Sequence, residues 1–160
     1  MAARRYAAAW NCVNTQSTTL PVCILTGSAT IAPEIYHYKL GSDATPASNA
    51  TKYAWQRATT AGTWAGAGGA AITPQQINAT AGTAIASGCT FNQGVCSAGP
   101  TLTANAFVDQ VPLNMQATIV VNFNDGAGLQ VPSTANNGLA LVPLVTTAAY
   151  NAVGCVMWSE

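Results

Sequence analysis

Proton chemistry in this chain would fall to one imidazole, His37, and five carboxylates, Glu34, Asp43, Asp109, Asp125 and Glu160. General acid–base catalysis needs such groups within reach of one another, and a nucleophile needs an adjacent base held by an orienting partner. His37 stands between Tyr36 and Tyr38 in a strand-like pattern, which reads as a surface or interface histidine. Asp109 and Asp125 are the pair a glycosidase would need. Nothing in their spacing joins them, and Asp125 already opens the turn Asp125-Gly126-Ala127-Gly128. The Gly-rich stretch from Gly62 to Gly69 lacks the Lys-Ser/Thr ending of a phosphate-cradling loop. The thiols lack paired CxxC spacing, and His37 has no close partner in sequence, so no metal site is expected. The reading is a protein that is not an enzyme, with no catalytic residue and no cofactor.

The five cysteines cannot all pair within one chain. Cys12, Cys23 and Cys155 lie in apolar runs, where a thiol behaves as a small buried hydrophobe. Cys89 and Cys96 bracket residues 90–95, read as a loop that Gly94 lets turn back, so a local disulfide is sterically allowed but optional. Asn49-Ala50-Thr51 and Asn78-Ala79-Thr80 match the glycosylation sequon. Trp10 and Asn11 interrupt the N-terminal apolar run before it reaches the length of an export signal, so both sequons read as chance matches. No membrane-spanning segment is expected.

Five basic and five acidic residues among 160 leave the chain 6% charged with zero net charge. A typical soluble domain is about a quarter charged. There is no basic face for a phosphate backbone, so no nucleic acid is expected as partner. Arg4-Arg5, the one adjacent basic pair, reads as a solvated end. A surface of Ala, Gly and neutral polar groups suits burial in an assembly, because Ala orders at little entropic cost and lets another backbone approach closely.

The elements that would carry these residues are short strands within one domain, residues 1–160, with no helical period sustained between breakers. Tyr6, Ala8, Trp10 and Cys12 alternate with Ala7, Ala9, Asn11 and Val13, the mark of a half-buried strand. In the same way Tyr36, Tyr38 and Leu40 oppose Ile35, His37 and Lys39. Tyr53 and Trp55 oppose Lys52, Ala54 and Gln56. Phe107, Val111 and Leu113 fall in phase, as do Ile119, Val121 and Phe123. Asn136-Asn137-Gly138 is a second turn. Residues 59–71 read as a Gly/Ala-rich loop or arm with Trp64 near its tip, and residues 78–100 as a loop holding Cys89 and Cys96. Eight or nine strands with two long loops predict an antiparallel β-sandwich, with the jelly roll as its expected form. Tyr36, Tyr38, Tyr53, Trp55 and Trp64 are either core or a stacking platform for sugar rings.

The blocks ARRYAAAWN, PEIYHYKLGSDATPASNATKYAWQR, AITPQQI, LTANAFVDQVPLNMQATIVVNF and LQVPSTANNGLAL, with a short terminal strand ending at Glu160, resemble the small β-sandwich head decoration, or cement, proteins of tailed bacteriophages. The resemblance spans nearly the whole chain apart from the Cys89–Cys96 loop, which looks like an insertion. It implies a structural virion protein, made in the host cytoplasm, that binds the outer surface of a shell of major capsid protein and associates with itself. Trp64, Tyr36 and Tyr38 are then the candidate interface residues. The competing expectations are a carbohydrate-binding or host-attachment module and a small self-assembling coat protein.

Overall fold

The computed structural model describes residues 3–12, 20–43, 46–64, 69–79, 86–124, 126–145 and 151–160. These residues form strands and no helix. In chain order the strands are β1 (Arg5–Cys12), β2 (Cys23–Thr26), β3 (Glu34–Ser42), β4 (Ala50–Ala58), β5 (Ala70–Ile72), β6 (Gln75–Gln76), β7 (Thr90–Gln93), β8 (Leu102–Asn114), β9 (Ile119–Asn122), β10 (Leu129–Gln130), β11 (Gly138–Pro143) and β12 (Ala152–Ser159). They make two antiparallel six-stranded sheets. Sheet A runs β10-β3-β12-β1-β6 with β9 also on β3, and sheet B runs β5-β7-β2-β11-β4-β8.

The pairing has a simple logic. β1 pairs with β12, β2 with β11, β3 with β9 and β10, and β4 with β8. The chain thus doubles back on itself like one long hairpin, and successive pairs fall alternately in sheet A and sheet B. The stretch between β4 and β8 is the hairpin's far end. Its three short strands widen both sheets, β6 joining β1, β7 joining β2 and β5 joining β7. Residues 90–93, expected in a loop, are therefore strand β7, and residues 70–71, expected in the Gly/Ala-rich arm, open β5.

Strand alternation places the core between the sheets. Tyr6, Ala8, Trp10 and Cys12 all point into it, as expected, together with Tyr53 and Trp55 of β4 and Val156 and Trp158 of β12. Trp158 stacks on Tyr6 and on Phe91, with centroids 6.0 and 6.1 Å apart, and Tyr38 meets Trp55 edge-on at 5.7 Å. Such offset and edge-on geometries suit the aromatic quadrupole.

A second, smaller apolar cluster covers the other side of sheet B. Ile24, Ala58, Ala140 and Val142 project there from β2, β4 and β11, and Trp64 and Cys96 close over them. This corrects the expectation of an outward Trp64: the side chain is 5% exposed and its Nε1–H donates to the Ala61 carbonyl at 2.6 Å. The reason is that β2 and β11 are apolar on both faces, so an uncovered sheet B would leave Ile24 and Val142 in water. A bridge between Thr63 and Ala98 holds the covering segments together. Cys89 belongs to the core between the sheets and Cys96 to the outer cluster, and both are free thiols. The expected optional disulfide is not formed, because β7 separates the two cysteines and delivers them to opposite faces of sheet B.

Two bulges shift the expected faces. On β3, Met157 pairs with His37 and Trp158 with Ile35, leaving Tyr36 as the extra residue. Ile35, Tyr38 and Leu40 point inward, while Tyr36 turns to the outer face under the Arg5 guanidinium, 5.2 Å from its ring centroid. On β8, Asp109 pairs with Trp55 and Phe107 with Gln56, so Val108 is extra. Val111 and Leu113 stay buried, but Phe107 leaves their phase and is 36% exposed. A bulge inserts one residue and so inverts the alternation beyond it.

Candidate functional site

The expected site residues do not converge. Tyr38 and Trp64 are buried in different clusters, and Tyr36 lies half-buried on the outer face of sheet A. Tyr38 donates its hydroxyl to Asp109 Oδ2 at 2.5 Å, and burial together with that carboxylate pushes its phenol pKa up. Of the five aromatics considered as a sugar platform, Tyr38, Tyr53, Trp55 and Trp64 are all at most 5% exposed. They are core residues, because the sheets need their bulk to fill the interior. His37 Nδ1 lies 2.7 Å from Asn122 Oδ1. Asp125 lies outside the described residues. Among the described residues no three His, Cys, Asp or Glu side chains converge in a metal-binding group.

The surface that the fold builds instead is the outer face of sheet A. Registers across β1, β12, β3 and β9 set out its rows: Ala7, Met157, His37 and Asn122; then Ala9, Cys155, Lys39 and Val120; then Asn11, Val153 and Gly41. Small residues and half-buried apolar side chains dominate its middle, Val120 is 54% exposed, and its basic side chains are Lys39, His37 and, over Tyr36 toward one end, Arg5. A shallow cleft of about 480 Å³ crosses the face, bordered by Ala9, Lys39, Gly41, Thr118, Val153 and Cys155. Burial raises the Cys155 pKa although Lys39 pulls it down, so the thiol stays protonated near neutrality.

A polar cluster that the sequence does not reveal joins the last residue of the chain to the hairpin's far end. Glu160 Oε1 accepts from the Ser87 hydroxyl and from Trp158 Nε1–H at 3.1 Å, and Oε2 accepts from the Gly88 N–H at 3.1 Å. Backbone bonds between Arg4 and Glu160 continue the β1–β12 ladder beside it. Burial alone would raise the carboxyl pKa, but these donors and the Cys89 thiol outweigh it and leave the value lowered. A lowered native value contributes stability above the unfolded carboxyl value of 4.5, and that contribution is lost as pH falls through the native one. Glu160→Gln should therefore destabilise the protein at neutral pH and flatten the acid side of its stability profile, as measured by urea unfolding at a series of pH values. An acid limb identical to that of the wild type would refute this role.

The thiols provide a second check. All five are buried, and burial pushes Cys12 and Cys89 up to about 12. Thiol titration should count five free groups in denaturant and only slow reaction in the native protein, since the thiolate is the reactive form. Stability should also fall as pH rises past the unfolded thiol value of 9.0, where the unfolded chain gains charge that the native state resists. A count of three in denaturant would mean that a disulfide exists.

Comparison with protein-family models, with curated proteins and with solved structures gives no match. Fold and surface together define an all-β protein of two antiparallel sheets, the outer face of one of them broad and low in charge.

Proposed function

We propose that the chain is a structural virion protein, a head decoration protein that docks on the outer surface of a shell of major capsid protein and associates with itself. The observation that carries this reading is the outer face of sheet A. It presents rows rich in small and apolar side chains with few charges, Lys39 within them and Arg5 toward one end, and the depletion of charge at interface cores is a recurring feature of protein contacts. The fold is read further as a jelly roll. In support, the pairs β1–β12, β2–β11, β3–β9 and β4–β8 alternate between the sheets, as two interlocked Greek keys would have them. The capsid surface, after synthesis in the host cytoplasm, is the corresponding location.

The test is binding to empty capsid shells, with copy number relative to the coat protein measured by mass spectrometry of purified particles. Docking through a face this low in charge predicts that affinity survives about 1 M salt, where the Debye length is about 3 Å. Lys39→Glu, at the centre of the face, should weaken shell binding while leaving the melting temperature unchanged. No binding to shells, or binding that Lys39→Glu leaves intact, would overturn the reading.

A further inference from the structure

Strand β8 ends sheet B, and among the described residues no strand pairs with its outer edge. Two backbone hydrogen bonds fix which of its groups face outward. Met115 N–H donates to the Asn49 carbonyl at 3.0 Å on one side of β4, and Leu144 N–H donates to the Lys52 carbonyl at 2.7 Å on the other. In an antiparallel ladder alternate residues turn their N–H and C=O to opposite neighbours. Asp109, Val111 and Leu113 therefore bond to β4, whereas Gln110, Pro112 and Asn114 turn their backbone groups to the open edge.

That edge is broken on both sides of Gln110. Pro112 has no N–H to offer. The Asn114 carbonyl is already taken by Ala117 N–H at 2.8 Å. Toward the other end the bulge at Val108 and the irregular stretch between Leu102 and Phe107, where Asn105 has φ 56°, interrupt the line. Gln110 alone keeps an intact outward pair. Many proteins protect such an edge with charge, notably Lys. This strand carries one charged residue, Asp109, whose carboxylate accepts from buried Tyr38.

We propose that Pro112, aided by the bulge at Val108, holds the β8 edge closed against pairing with a second copy of this chain. A second β8 is the natural occupant, because an antiparallel edge is complementary to itself about a two-fold axis. Pro112 takes the place of the charged gatekeepers that a chain with 6% charge lacks. The inference stands apart from the virion reading, since it concerns only this edge.

The test compares wild type with Pro112→Val by sedimentation velocity over a range of concentrations and by residue-resolved hydrogen exchange. In wild type the Gln110 amide should exchange about tenfold or more faster than that of Val111. Pro112→Val should add a dimer whose Gln110 amide is slowed by about tenfold or more. Unchanged sedimentation and exchange in a folded Pro112→Val would overturn the proposal, as would a protected Gln110 amide in self-associated wild type. If Pro112→Val does not fold, Gln110→Pro and Val111→Pro decide. The former should fold and sediment as wild type, and the latter should lose a bond to β4 and unfold more easily. Equal destabilisation by the two would show that the edge is not as assigned.

Discussion

Trp64→Ala is expected to lower folding stability by about 3–5 kcal/mol, the usual cost of truncating a large buried aromatic. For a domain of this size that corresponds to a fall in melting temperature of roughly 6–20 °C. The size of the effect follows from what the indole covers. It lies over Ile24, Ala58, Ala140 and Val142, the outward side chains of three strands of sheet B, and its removal uncovers apolar surface as well as leaving a cavity. The lost indole also frees the Ala61 carbonyl that accepts from Nε1–H. Binding to a partner, normalised to folded protein, should be unchanged. The opposite pattern, an unchanged melting temperature with weakened partner binding, would make Trp64 an interface anchor after all.

Gly154→Ala should cost about 3 kcal/mol, at the upper end of the range for overpacking a well-filled interior. Gly154 pairs with Trp10 on one side and Leu40 on the other. A Cβ there would stand 2.3 Å from the Lys39 carbonyl oxygen and 2.5 Å from Trp10 Cζ2. Neither neighbour can retreat cheaply. The carbonyl belongs to the backbone of β3, and the Trp10 ring is fixed in the core at 4% exposure. Val153→Ala, one residue away on the outer face, removes volume instead of adding it and should cost far less. Equal melting temperatures for wild type and Gly154→Ala would show that β12 and β3 do not approach this closely.

The far end of the hairpin and the outer faces share one lesson about scale. Period-two alternation is a property of neighbouring residues, so the faces of β1, with Tyr6, Ala8, Trp10 and Cys12 inward, could be read from the chain alone. The same holds for the all-β class, for the core positions of Tyr53 and Trp55, and for the turn at Asn136, whose φ is 67°. The scarcity of imidazole and carboxylate groups is equally a property of composition. Alternation failed at Tyr36 and at Phe107. Tyr36 is the extra residue of one bulge and Phe107 adjoins the extra residue of another, and a bulge is defined by the partner strand: Met157 and Trp158 for the first, Trp55 and Gln56 for the second.

Burial of a weakly patterned segment is also decided at a distance. Residues 59–64 look like loop because they lack apolar bulk, but they fold over a sheet whose strands β2 and β11 are apolar on both sides, and Trp64 fills that gap. Cys89 and Cys96 look like a bridgeable pair until β7 takes its place beside β2 and turns them to opposite faces. Glu160 carries no sequence signal at all, since its donors Ser87 and Gly88 lie more than seventy residues away. Local sequence determined which residues alternate and how few ionisable groups the chain carries. The tertiary structure decided which face each alternation turns inward, because register and cover are set by strands far apart in the chain that meet only once it has folded.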